Sequence, residues 1–449
     1  MVKTMNKLGS QQVQRGWINS ILESQIRDFI KTIAANLTPD SNFQAAEDLQ
    51  IFGNEEEGYL FLTDQEARDF REIIRAVPEK YFSSMLISRQ FVEKSIQASI
   101  LEALDIKKHR ENITFEQRLN QSIERVKGIS RQKPTEYEYF YPVYGLDNPG
   151  LPFKIGQVEL FIFQECTLDE IYRKNNEDIP TKQNIVMDQI FKDFEIDKLF
   201  GTVYAKVTVT AVDQDAAKNI AKNILQSTLE LLNFFIDLIP YSNGVFLYLP
   251  GEACKDLIFS ASRSKNINIP PTICKSVAGP ISNVTIQMLM QANEKNNLGF
   301  ENVCRILSGK PNPFQDGLLS AMRWGGKAMI NQAMKLNEQA FLFYTIALES
   351  IILLEGSKEE LRYRLSVRLA HLFGKSGEYR PGIAKQVRDL YDIRSKIVHN
   401  GSFEVFDSDL NLIRFIVKNC LIHLVRDEPF ASMKNKEDLV AWFDQQIYG

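Results

Sequence analysis

Leu390-Tyr391-Asp392-Ile393-Arg394-Ser395-Lys396-Ile397-Val398-His399-Asn400-Gly401 is an apolar-periodic run that closes on a stop signal. Together with Ile383 and Val387, the apolar residues Leu390, Tyr391, Ile397 and Val398 recur at helical spacing, and Asn-Gly ends the pattern. At about 100° per residue, Arg394 falls in the middle of the apolar stripe, where a solvated arginine has no reason to be. Its guanidinium stays charged, so it requires an anion there, either a carboxylate or a phosphate. His399 lies roughly 140° round the same wheel. The two side chains share a site only if the helix frays at Asn400-Gly401 or a second chain completes the pocket.

Working outward, the sequence from about 331 to 427 is a helical array. Leu336, Ala340, Phe341, Tyr344, Ala347, Leu348, Ile351 and Ile352 mark one helix, with Glu349 on its flank. Ser357-Lys358-Glu359-Glu360 matches a capping box that opens a second helix, with Leu361, Leu365, Leu369 and Leu372 inward and Gly374 at its end. Asp407-Ser408-Asp409 starts a last long helix that runs past Leu424, and a short helix is expected around Trp442. Antiparallel helices with short connections make a bundle.

The N-terminal part, residues 10 to about 128, also reads as helical: Trp17, Ile18, Ile21, Leu22, Ile26, Phe29 and Ile30 share one face. Thr63-Asp64-Gln65-Glu66 is a capping box ahead of Phe70, Ile73 and Ile74. Beyond Lys133-Pro134 the character changes. Strands are expected at Glu136–Tyr141, Gln157–Phe163, Val203–Val212 and Gly244–Leu249, with an amphipathic helix after Asp213 that stops at Pro240. The fold class is therefore mainly α with an α+β middle domain and a C-terminal antiparallel helical bundle, divided at 1–130, 131–310 and 311–449. The aromatic strand Tyr137-Glu138-Tyr139-Phe140-Tyr141 could stack bases, although sheet aromatics are more often buried.

Bulk properties narrow the function classes. The net charge of −4 over 449 residues gives no global case for nucleic-acid binding, so a basic surface must be local. Met1-Val2-Lys3-Thr4-Met5-Asn6 leads straight into polar sequence, so no secretory signal is expected. The longest apolar block, around Leu231–Ile239, contains Asp237 and is too short to span a bilayer, so no membrane partner is expected. The five dispersed cysteines suit reduced thiols in a cytoplasm, and the four histidines leave little from which to build a zinc site. No cofactor is expected. Gly325-Gly326-Lys327 lacks the earlier glycine and the following Ser or Thr of a phosphate loop.

Within the bundle, charge is asymmetric. Between Lys358 and Gly401 stand ten basic residues against five acidic ones, which is a phosphate-backbone footprint or a set of solvated helix faces. Arg362, Arg364, Arg368 and Lys396 are the candidate RNA contacts. Arg394 and His399 offer a chemistry. Histidine titrates near neutral pH and can move the proton of a ribose 2′-OH, while arginine holds the charge that builds on phosphorus. That reaction needs a base and an acid, and a symmetric dimer supplies two histidines. The plain structural reading is an arginine paired with a carboxylate and a histidine at a helix end.

The Leu-Tyr-Asp-Ile-Arg-Ser and Val-His-Asn-Gly context, with Ala347-Leu348-Glu349-Ser350 on the first bundle helix, resembles the HEPN superfamily, most closely its Apea-like domains, over roughly 320–427. Val209-Thr210-Ala211 and the Ala-rich helix after it also resemble what precedes the HEPN domain in that group. The resemblance implies a bundle that dimerises with both motifs in one RNA-cleaving cleft. It also implies a metal-independent endoribonuclease acting as a toxin-like effector of antiviral defence on tRNA, mRNA or phage transcripts. By position, Arg394 and His399 are then the catalytic pair, with Glu349 orienting Arg394 and Ser395 and Asn400 in support. A homodimer or higher oligomer is expected, and an N-terminal part that senses or restrains, or a partner that does so. Some superfamily members have lost activity, so the alternative is an inactive dimerisation module that binds RNA or a partner protein.

Overall fold

The computed structural model describes residues 18–36, 50–54, 58–77, 87–104, 113–147, 152–164, 200–239, 244–249, 256–262, 272–278, 283–353, 361–374, 376–401 and 404–449. These form two compact units: 1–138 with 208–222, and 139–207 with 223–449. The expected capping box at 357–360 and one of the four histidines, His109, lie outside the described residues.

In the first unit, α1 (Ser20–Asn36) is followed by an antiparallel hairpin of β1 (Gln50–Asn54) and β2 (Gly58–Leu62), then α2 (Asp64–Arg75), α3 (Arg89–Leu104) and α4 (Phe115–Ser130). The hairpin interrupts what periodicity alone presents as continuous helix. Thr63 forms the expected capping box with Glu66, and Thr114 forms a second with Gln117. Each satisfies two of the amide donors that a helix start leaves unbonded. Leu22, Ile26, Phe70, Ile96, Leu119 and Ile123 make the centre of this unit's core. Residues 208–222 join it through Asp213, whose carboxylate accepts from the Ser88 amide at 2.8 Å and from the Ser88 hydroxyl at 2.9 Å. The same carboxylate caps the next helix through the Ala216 amide at 2.8 Å.

The second unit contains a four-stranded sheet in the order β3-β6-β5-β4, where β3 is Thr135–Pro142, β4 Phe153–Ile155, β5 Val158–Ile162 and β6 Val203–Ala211. The pairs β4–β5 and β5–β6 are antiparallel. The division between units falls within β3, β6 and the long helix α5 (Gln214–Ile236). A separate hairpin of β7 (Asp256–Ser262) and β8 (Thr272–Ala278) follows. The strand expected at Gly244–Leu249 does not form. Its Leu247 amide and carbonyl are instead taken by the buried Asn233 side chain, at 2.7 and 2.9 Å, and only Tyr248 makes a bridge, to Tyr144.

The remaining helices are α6 (Ile286–Asn296), α7 (Phe300–Ser308), α8 (Pro313–Ala333), α9 (Asn337–Ile352), α10 (Leu361–Phe373), α11 (Arg380–Asn400), α12 (Asp407–Arg426) and α13 (Lys436–Tyr448). Gly309–Asn312 is a short connection: Asn312 caps α8 in a capping box, with Pro313 at its first position. α9 packs against α8, α11 and α12, with Phe341, Tyr344, Leu348 and Ile351 almost fully buried. The Gly325-Gly326 pair lies inside α8 and lets it approach α5. A Cβ on Gly326 would stand 1.9 Å from the Glu230 carbonyl oxygen, and one on Gly325 would stand 2.8 Å from Phe234 Cδ2. This contact lets α5 and α8 pack closely within the second unit.

Charge is also buried here. The Asp237 carboxylate, just past the end of α5, accepts from Arg414 Nε at 3.0 Å and also from its Nη2, and pairs with Lys418 Nζ at 2.9 Å. Burial holds the Lys418 ammonium below its ordinary pKa, against the pull of Asp237.

Candidate functional site

Helix α11 buries Ala384, Val387, Leu390 and Ile397. Arg394 sits one turn from both Leu390 and Ile397, on the buried stripe as the wheel predicts. Its anion is Glu349 of α9: Arg394 Nε lies 3.2 Å from Glu349 Oε1, and Nη2 lies 3.5 Å from Oε2. The side chains are 27% and 21% exposed. Although Oε1 is close to Nε, it is buried and receives no aligned hydrogen bond. The pair is therefore a coulombic contact with one weak hydrogen bond, not a bidentate clamp. Nη1 of Arg394 has no hydrogen bond among the described residues.

Tyr391, one turn before Arg394, puts its ring 5.6 Å from the guanidinium carbon. Burial, then the Glu349 carboxylate, raise its phenol above the usual range, so Tyr391 stays a neutral donor. Sequence periodicity places it only on the apolar stripe. The signal for its second role is the i, i+3 spacing to Arg394, which lets a guanidinium lie over a ring.

His399 is exposed, and α11 runs unbroken through it to Asn400. Gly401 ends the helix at φ +77°, a left-handed cap whose amide bonds the Ile397 carbonyl at 3.1 Å. Fraying therefore does not bring His399 round to Arg394. Five residues of helix separate them by about 7.5 Å along the axis and about 140° around it. Of the three described histidines, His371 bonds the Val367 carbonyl at 3.0 Å and His423 bonds Asp427 at 2.5 Å. His399 has no hydrogen-bond partner among the described residues. Ser395 is half-buried and Asn400 is exposed.

The four basic candidates separate. Arg362 is near half-exposed and pairs with Asp392 at 2.6 Å, a surface ion pair of little energetic weight. Arg364 is half-buried and Lys396 is exposed. Arg368 is only 7% exposed: its Nη1 donates to the Ile352 carbonyl at 2.6 Å, and its guanidinium lies 5.5 Å from the Phe443 ring centre. Ile352 ends α9, so Arg368 neutralises a helix C-terminus and does not meet solvent. It is therefore not an RNA contact, and the leucine spacing around it in α10 already places it next to the core.

Among the described residues, no three His, Cys, Asp or Glu side chains converge as metal ligands do, and no helix is long and apolar enough to cross a membrane. Compared with family models, curated proteins and solved structures, the chain matches none.

Proposed function

We propose that the bundle α9–α12 cleaves RNA through the ribose 2′-OH, with Arg394 and His399 as the catalytic residues and two chains forming the active unit. The observation that carries this reading is the state of His399. It is an exposed imidazole without a protein partner among the described residues, on the same helix as an arginine whose Nη1 is open. His371 and His423 each have Nδ1 engaged within the fold, whereas His399 does not.

In this mechanism neutral His399 takes the proton from the 2′-OH, and the 2′-oxygen attacks the neighbouring phosphorus. Arg394 stabilises the extra negative charge on the phosphorane. A protonated His399 from the second chain gives its proton to the departing 5′-oxygen. The products are a 2′,3′-cyclic phosphate and a 5′-hydroxyl. Because α11 holds the two residues on different faces, one chain presents them to different surfaces, and a two-fold pair restores convergence. Val398 and Phe406, near His399 in the chain, are 50% and 59% exposed, an apolar surface suited to a second copy. A toxin-like role against phage, with restraint by a partner or by the first 300 residues, belongs to the same proposal and draws on the motif resemblance.

The second reading, a dimerisation module without activity, is favoured by the Glu349–Arg394 contact, since that arginine already has a carboxylate. Arg394→Lys and His399→Ala distinguish the two. The endoribonuclease reading expects both to lose cleavage while both stay folded, the exposed His399→Ala within about 2 °C of the wild-type melting temperature and Arg394→Lys keeping a cation beside Glu349. Cleavage by both variants at the wild-type rate overturns it.

A further inference from the structure

Away from the close contact at Gly325-Gly326, a cavity of about 350 Å³ lies between the N-terminal stretch of α8 and residues 223–231 of α5. The β4–β5 turn, Ile155-Gly156-Gln157, and Leu307 of α7 close its floor. Gly156 has φ +58°, and a Cβ there would stand 3.2 Å from the Leu307 carbonyl oxygen and from its Cβ. The turn is therefore seated directly on α7.

Both walls are built at helical spacing. Asp316, Ser320 and Arg323 occupy i, i+4 and i+7 on α8, and Asn223 and Ser227 occupy i and i+4 on α5. Small hydroxyl side chains, Ser227 and Ser320, stand midway along the walls, with the apolar Leu231 and Leu319 beside them.

The two ends carry opposite charge. Glu230, 5% exposed, binds both Arg323 (Nε–Oε2 3.0 Å) and Lys327 (Nζ–Oε1 3.4 Å). One buried carboxylate thus serves two cations, and the cluster keeps a net positive charge at the Arg323 end. Neither terminal nitrogen of Arg323 has a hydrogen bond among the described residues, so its fork can take an oxyanion. Two helical turns away, about 10 Å, the Asp316 carboxylate likewise has no side-chain partner among the described residues.

We propose that this cavity binds a mononucleotide-like metabolite. Its phosphate meets the Arg323 fork, its sugar hydroxyls meet Ser227 and Ser320, and an amine or ring N–H of its base donates to Asp316. The volume lies at the small end of the range for ligand cavities, which suits one nucleotide and is too small for an oligonucleotide. An anion alone leaves the exposed Asp316 carboxylate to water, and a nucleoside leaves the two terminal nitrogens of Arg323 to water, whereas a nucleotide engages both ends. This site stands apart from the α11 motif and does not depend on RNA cleavage.

Isothermal titration of the full chain with AMP, GMP, CMP and UMP tests the proposal, with the matching nucleosides and inorganic phosphate as separate arms. At least one nucleotide should bind once per chain, more tightly than its nucleoside or phosphate alone. Asp316→Asn and Arg323→Gln should each weaken binding about 10-fold or more, the loss of one charge-assisted contact. Ser320→Leu, which fills the cavity, should abolish binding without lowering the melting temperature. It carries the test together with Asp316→Asn if Arg323→Gln, by leaving Glu230 with one cation, does not fold. His399→Ala should bind as wild type. The proposal is overturned if no nucleotide binds, if binding survives Ser320→Leu, or if His399→Ala removes it.

Discussion

Gly326→Ala offers a sign test of how the second unit is held together. In a solvent-facing helix, replacing glycine by alanine stabilises by about 1 kcal/mol, because alanine loses less backbone entropy. At Gly326 the added Cβ would stand 1.9 Å from the Glu230 carbonyl oxygen and 2.8 Å from its carbon, against 3.4 Å for ordinary contact. The obstacle is backbone, so no rotamer change relieves it, and α5 and α8 must part by about 1.5 Å. Overpacking of this kind costs about 1–3 kcal/mol, and the separation also strains the buried Glu230–Arg323 and Glu230–Lys327 pairs. Set against the propensity gain, the net is a loss of up to about 2 kcal/mol, or up to about 4–8 °C in melting temperature. Gly382, inside α11 with open space for at least 4 Å around the place a Cβ would take, is the internal control. Gly382→Ala should be neutral or stabilising by up to about 1 kcal/mol. Thermal and urea unfolding of both variants gives the answer. A Gly326→Ala protein that melts at or above wild type refutes the close α5–α8 contact and the role assigned to the Gly-Gly pair.

Other perturbations test other parts of the fold. Asp237→Asn strands the buried Arg414 and Lys418 and should cost about 3–5 kcal/mol by urea unfolding. Arg368→Ala, which removes the bond to Ile352 and the packing on Phe443, should destabilise by about 2–3 kcal/mol without a specific effect on RNA affinity in a filter-binding assay. Hydrogen bonding from Arg426, aided by His423, holds the Asp427 carboxyl down at about 2 from an ordinary 3.8. Its contribution is therefore complete above pH about 4 and lost as pH falls toward 2, and Asp427→Asn should flatten stability across that window by about 1 kcal/mol at this partly exposed site. Glu349→Gln should slow cleavage with little change in RNA binding, since it frees Arg394 from its orienting charge.

Much of this is legible in the chain. Each bundle helix follows from its apolar period, and the Thr63–Glu66 capping box follows from residue type and spacing alone. The oddity of Arg394 on an apolar stripe is enough to require an anion, and Glu349 supplies it at 3.2 Å. The rest depends on contacts distant in sequence. Nothing local says that the Gly-Gly pair in α8 exists to admit the Glu230 backbone, or that Asn233 takes the hydrogen bonds a strand at 244–249 would have used. Arg368 looks like a phosphate ligand when charge is counted along the chain; the end of α9 that consumes it is sixteen residues away. The β1–β2 hairpin is hidden for another reason: short apolar runs fit a strand and a helix equally well.

The central claim turns on His399. The most direct measurement is the end-group analysis of RNA cut by the purified chain, run beside His399→Ala of equal melting temperature. Fragments with 2′,3′-cyclic phosphate and 5′-hydroxyl ends are predicted from the wild type and none from the variant. Fragments with 3′-hydroxyl ends, or the same cyclic-phosphate products from His399→Ala, would contradict it.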